Sequence, residues 1–203
     1  MTIDEGYTKF ACDWSHCELP EFIESKELCL WRSRLYAAGL IGTYADLGIG
    51  FGNISARVGN GREFLISGTQ TGHLPDIGPQ HFALVTNTDV ERNYVSCRGA
   101  VQASSESMTH AALYDTDDSI GAVVHVHNAE LWHRYRGRIP TTAAEVAYGT
   151  PQMAAEFARL WRATRLPVAG IAVMGGHDEG LISIGTTVSE AATRILSLQE
   201  EPA

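Results

Sequence analysis

The sequence predicts an α/β fold: a mixed sheet covered by helices, in a single domain. Two observations carry this. A strand hairpin comes early in the chain, and strands alternate with helices after about residue 104. The length of 203 residues suits one sizeable hydrophobic core rather than two.

Residues 1–18 read as a loose N-terminal segment. From Pro20 to Ala38, Phe22, Ile23, Leu28, Leu30, Trp31, Leu35 and Tyr36 recur at helical spacing, with Pro20 suited to a first turn and Gly39 to a C-terminal cap. The glycine-rich stretch Leu47–Gly52 leads into a strand, Asn53–Val58. Asn60-Gly61 then turns the chain into a second strand, Glu63–Ser67. Ala83–Thr88 reads as a further strand. Ser104 or Ser105 caps a helix reaching Tyr114, with Glu106 in its first turn. A strand at Gly121–Val126 and a short helix at Ala129–Tyr135 follow. Thr150-Pro151 opens a helix to Thr164, strands occupy Gly170–Met174 and Gly180–Ile184, and Thr187-Val-Ser-Glu190 is a capping box for a last helix to Leu198.

Composition narrows the function. An apolar fraction of 44% and a charged fraction of 19% are those of an ordinary globular protein. A net charge of −9 argues against nucleic acid or an anionic membrane as partner. No apolar run approaches the roughly 20 residues of a membrane span, and no signal peptide is evident. Cys12, Cys17, Cys29 and Cys97 lack zinc-ribbon or thioredoxin spacing and read as reduced thiols of a cytoplasmic protein.

The chemistry concentrates in Val-Val-His-Val-His at 123–127. A strand alternates its side chains, so His125 and His127 share one face while Val124 and Val126 take the other. Paired imidazoles form half of a metal site, and Glu106 and His177 are plausible completions. A carboxylate ligand that swings away would open a position for substrate and could act as a base. Buried, hydrogen-bonded histidines on an edge strand are the competing reading. His110, four residues after Glu106, shares its helix face and reads as a packing or supporting residue. The small-residue turns at Gly52-Asn53, Ser67-Gly68-Thr69 and Ser104-Ser105 could bind phosphate through amides and hydroxyls, with Arg57 as a possible source of charge.

Gly-Asn-Ile-Ser-Ala-Arg (52–57), Leu-Ile-Ser-Gly-Thr (65–69), Ser-Ser-Glu-x-x-x-His (104–110), Val-Val-His-Val-His (123–127) and the His177 motif occur in that order. Together they resemble the class II aldolase/adducin family, which includes sugar-phosphate aldolases and 4-epimerases. The resemblance runs from the first helix to the Gly185–Ala191 region.

It implies a three-layer α/β/α domain over residues 19–199, with a central mixed, largely antiparallel sheet. It also implies a cyclic homotetramer with sites at subunit interfaces. It assigns Zn²⁺, with Mn²⁺, Co²⁺ or Fe²⁺ as alternatives, to His125, His127 and His177. Glu106 becomes both a displaceable ligand and the acid/base. Gly52, Asn53, Ser104 and Ser105, together with Ser67, Gly68 and Thr69, become the phosphate-binding residues.

The implied activity is retro-aldol cleavage, or its reverse, of a small ketose with or without a phosphate, through a metal-bound enediolate. A dehydratase or 4-epimerase is the alternative on the same site. A noncatalytic adducin-like module is a third reading, which the retained histidines and Glu106 argue against. The chain departs from the family pattern at Asp178 and Glu179, which separate His177 from Gly180.

Overall fold

The computed structural model describes residues 7–200. The elements are β1 (Ala11–His16), α1 (Ile23–Ala37), β2 (Gly42–Tyr44), β3 (Ile49–Phe51), β4 (Asn53–Arg57), β5 (Phe64–Ser67), β6 (Phe82–Asp89), β7 (Tyr94–Gly99) and α2 (Ser107–Tyr114). There follow β8 (Ala122–His127), α3 (Ala129–Tyr135), α4 (Pro151–Ala163), α5 (Leu166–Ala169), β9 (Ile171–Val173), β10 (Gly180–Gly185) and α6 (Val188–Glu200). Eight strands form one sheet in the order β1-β7-β6-β5-β4-β8-β10-β9, and β2 pairs with β3 as a separate ribbon. The β1–β7 pair is parallel and the rest are antiparallel, so the predicted mixed, largely antiparallel sheet is what the chain forms.

Each sheet face has its own core, which makes three layers. On one face α2 and α4 pack over a cluster that includes Phe64, Met108, Val123, Met153 and Phe157. On the other, α1 and α6 cover Leu28, Leu35, Val124, Val126 and Ile195. The helix signals hold locally. Thr150 Oγ1 accepts the Met153 amide ahead of Pro151, and Met153, Phe157 and Leu160 form the buried stripe of α4. Half of the expected capping box forms at α6. Thr187 Oγ1 accepts the Glu190 amide, while the Glu190 carboxylate turns to the amide and hydroxyl of Thr186.

Several elements differ from expectation. Residues 11–16, expected to be loose, form the edge strand β1, because its backbone can pair with β7 even though most of its side chains stay exposed. Residues 1–6 of that segment lie outside the described residues. β7 is legible only through Val95 and Cys97, too few apolar positions to mark a strand without its partner β6. In α1 the buried stripe is Ser25, Leu28, Arg32 and Leu35, whereas Ile23 and Leu30 face outward. Ser104 and Ser105 do not cap α2. The chain makes a turn there first, and Glu106 occupies the cap position. Among the described residues no helix is long and apolar enough to cross a membrane.

Candidate metal centre

β8 is buried along its whole length, between β4 and β10. His125 and His127 therefore sit on an interior strand, not an edge. His125 lies opposite Asn53 on β4 and Ile182 on β10, and His127 lies opposite Gly180. Backbone crowding reserves two neighbouring positions for glycine. Gly52, at φ +75°, enters β4 where a Cβ would meet Ile41 at 2.8 Å and the His125 carbonyl at 3.2 Å. At Gly180 a Cβ would meet the His177 ring at 2.6 Å, so glycine there lets that imidazole fold back over its own turn.

The three Nε2 atoms converge. His125 to His127 and His127 to His177 are 3.1 Å apart, and His177 to His125 is 3.2 Å. A carbonyl can only accept, so the 3.0 Å contact of His125 Nδ1 with the Leu181 carbonyl places the proton on Nδ1. Tyr44 donates its hydroxyl hydrogen to Glu179 Oε2 at 2.8 Å, so His127 Nδ1, 2.9 Å from that hydroxyl, must be the donor to it. The Nε2 lone pairs of both rings thus point into the cluster. Burial holds all three imidazoles neutral, pushing His125 down to about 4 and the others well below the usual histidine range.

Glu106 lies beside the group. The Ser104 carbonyl accepts the Ser107 amide, and this turn ahead of α2 places the Glu106 side chain inside the protein. Its Oε1 lies 3.6 Å from His177 Nε2, and the Thr109 hydroxyl is near the carboxyl but outside hydrogen-bond geometry. Burial pushes the carboxyl up to about 7, with Thr109 and the charge of Lys9 restraining the rise.

The cluster fits a divalent metal. Neutral lone pairs facing one another at this distance repel unless a cation lies between them. The spacing is close to the roughly 3.3 Å between neighbouring corners of a tetrahedron with zinc–nitrogen bonds of about 2.0–2.1 Å. The Glu106 carboxyl lies beside this three-nitrogen set, its Oε1 3.6 Å from His177 Nε2.

A cleft of about 190 Å³ is lined in part by Gly52, Asn53, Gly68, Thr69, Ser104 and Ser105; it reaches the strand partner of His125 at Asn53, while the three histidines and Glu106 do not line it. Six of the seven expected phosphate-binding residues therefore come together. Ser67 does not join them, because it is buried and its Oγ accepts the Ile54 amide across the hairpin. The Gly68 and Thr69 amides are already donated to the His81 and Gln102 carbonyls, which leaves the Thr69 hydroxyl as that turn's offering. Arg57 spends its guanidinium on the carbonyls of Gly61, Tyr114 and Ile120. His110 bonds Ser55, which bonds Tyr114, in a buried network.

Sequence reading alone missed Tyr44, Glu179 as a partner of Tyr44, and Lys9. The Tyr148 ring lies 4.4 Å from that of His177, and Lys9 Nζ sits 3.8 Å above Tyr148. No periodicity or motif marks Tyr44 or Lys9.

Comparison with known proteins identifies the family and the fold. A family model described as "Class II Aldolase and Adducin N-terminal domain" matches residues 34–201. Among curated proteins no sequence matches the chain. Similar solved structures include YgbL from Klebsiella pneumoniae, for which aldolase, epimerase and decarboxylase activities are all candidates. It is 17% identical, with a TM-score of 0.65 over 87% of this chain and 85% of that one. L-fuculose-1-phosphate aldolase from Thermus thermophilus is 21% identical, with a TM-score of 0.61 over 87% and 89%. A sugar-phosphate aldolase from Thermotoga maritima is 15% identical, with a TM-score of 0.66 over 87% and 90%. At these identities the likeness shows a shared fold.

Proposed function

The chain belongs to the class II aldolase and adducin family, and we propose that it acts as a metal-dependent, aldolase-like lyase on a small ketose or ketose phosphate. The observation that carries this reading is the buried carboxyl of Glu106, 3.6 Å from one of three converging imidazoles. A carboxyl at that place can move a proton at a substrate held by the same centre.

His125, His127 and His177 hold the metal, and zinc suits their imidazole-rich set. Bound there, the metal supplies Lewis-acid polarisation of a substrate carbonyl. The remaining steps belong to the protein. Asn53, Ser104, Ser105 and the Thr69 hydroxyl hold the far end of the substrate in the cleft. Glu106 accepts or returns a proton at the carbon beside the carbonyl, a transfer that needs its carboxyl within hydrogen-bond reach of that carbon. Burial of the site keeps bulk water from quenching the carbanionic carbon. A cyclic homotetramer in the cytoplasm, with sites at subunit interfaces, completes the proposal.

The test is a screen of small ketoses and ketose phosphates for aldehyde release, with zinc-loaded and chelator-treated protein. Metal-dependent cleavage supports the reading. The absence of turnover on both classes by metal-loaded protein contradicts it.

A further inference from the structure

His127 is held by a chain of two side chains. Its Nδ1 donates to the Tyr44 hydroxyl at 2.9 Å, and that hydroxyl donates to Glu179 Oε2 at 2.8 Å. Tyr44 comes from β2, in the ribbon outside the main sheet. Its ring packs 4.7 Å from Phe51 of β3, which in turn lies 5.5 Å from the His127 ring. The ribbon thus braces one imidazole.

Glu179 belongs to the turn that carries His177, two residues away. Its backbone carbonyl accepts the Asn128 amide at 2.9 Å, directly after His127. The residue has φ +65°, a left-handed conformation that glycine adopts freely and glutamate rarely does. A glutamate kept at such a position points to a use for its side chain.

We propose that Glu179, acting through Tyr44, is a positioning residue for the metal ligand His127, and that the two form a Glu179–Tyr44–His127 relay that fixes the imidazole's tautomer and orientation. The inference rests on the metal centre proposed above. A metal-binding histidine needs its second nitrogen to donate, and a carboxylate at the end of that hydrogen-bond chain makes the ligating nitrogen more basic. The relay also couples the two ligand-bearing segments. Glu179 reaches His127 through its side chain and His177 through the turn, so the spacing of two ligands depends on one residue.

The experiment titrates Zn²⁺, and separately Co²⁺, into metal-free wild type, Tyr44→Phe, Glu179→Gln and Glu179→Gly, with melting of each metal-free protein recorded alongside. The expected result is a metal Kd raised about 10- to 100-fold in Tyr44→Phe and Glu179→Gly, with an altered visible spectrum of the Co²⁺ forms. Glu179→Gln, which keeps an acceptor but not the charge, falls between these and wild type. Metal-free Glu179→Gly melts no lower than wild type, because glycine relaxes at φ +65°. Loss of affinity and of metal-free stability together in all three variants marks a packing role and overturns the inference. Variants that match a metal-binding wild type overturn this inference alone. A wild type that takes up no metal overturns the metal centre and this inference with it.

Discussion

Oε1 of Glu106 lies 3.6 Å from Nε2 of His177, with both side chains buried. A carboxyl and an imidazole at that distance, withdrawn from water, are each costly to ionise. The cost becomes a resource when a cation is shared between them. Without the cation, the same burial leaves a signature in the pH dependence of stability.

Glu106 titrates about 7 when folded, against an ordinary carboxylate value of 4.5. Below pH 4.5 the folded and unfolded chains both hold the proton. As pH rises towards 7 the unfolded chain ionises first, so the metal-free protein loses stability, and the loss is complete above about pH 7. The histidines act from the other side. Their folded pKa values lie below the ordinary 6.5, so acidification through that range favours the unfolded chain. Denaturation of metal-free Glu106→Gln and wild type across this range should show the variant gaining stability relative to wild type as pH rises, levelling above pH 7. A difference independent of pH would remove the buried, protonated carboxyl from the description.

Replacing any one imidazole should abolish tight metal binding. His177→Ala, His125→Ala and His127→Ala are expected to lose the thermal stabilisation that zinc confers, about 4 kcal/mol at a thousandfold excess over Kd. His110→Asn should keep it, since His110 bonds Ser55 rather than joining the cluster. Differential scanning fluorimetry with and without zinc makes the comparison. Equal zinc shifts in all four variants would contradict the assignment.

Arg32 occupies a core position of α1 and donates to the carbonyls of Thr71, Gly72, Leu74 and Pro75. It therefore pins the segment that follows the cleft turn at Gly68–Thr69 from the far side of the sheet. Arg32→Ala should destabilise the protein by about 3 kcal/mol or more, because buried carbonyls lose charged donors. Urea denaturation measures it. A change below about 1 kcal/mol would mean that water replaces the guanidinium without cost.

The metal cluster was legible because strand alternation alone puts His125 and His127 on one face, while the roles of Glu106 and His177 came from the family resemblance. The layered fold was legible for the same local reasons: proline and threonine caps, the hairpin at Asn60-Gly61 and the stripe of α4. What stayed hidden arises from pairing across the chain. β1 is a strand because β7 is beside it, and Tyr44 meets His127 and Glu179 across 83 and 135 residues. Ser67 lies outside the cleft lining, and its hydroxyl oxygen accepts the Ile54 amide within the β4–β5 pair.

Asn53 lines the cleft beside His125, and its buried Oδ1 meets no donor among the described residues. Asn53→Ala should raise KM about tenfold with metal content unchanged, the cost of one lost hydrogen bond to substrate. Steady-state kinetics with metal analysis checks this. Unchanged KM would place substrate elsewhere.

The most direct test of the centre as a carbon-acid catalyst follows deuterium uptake at the carbon beside the carbonyl of dihydroxyacetone and its phosphate by NMR, in zinc-loaded wild type and Glu106→Gln. Zinc-dependent exchange by wild type is expected, falling by a factor of about a hundred or more in Glu106→Gln while bound zinc is retained. Exchange at the wild-type rate in Glu106→Gln would contradict it.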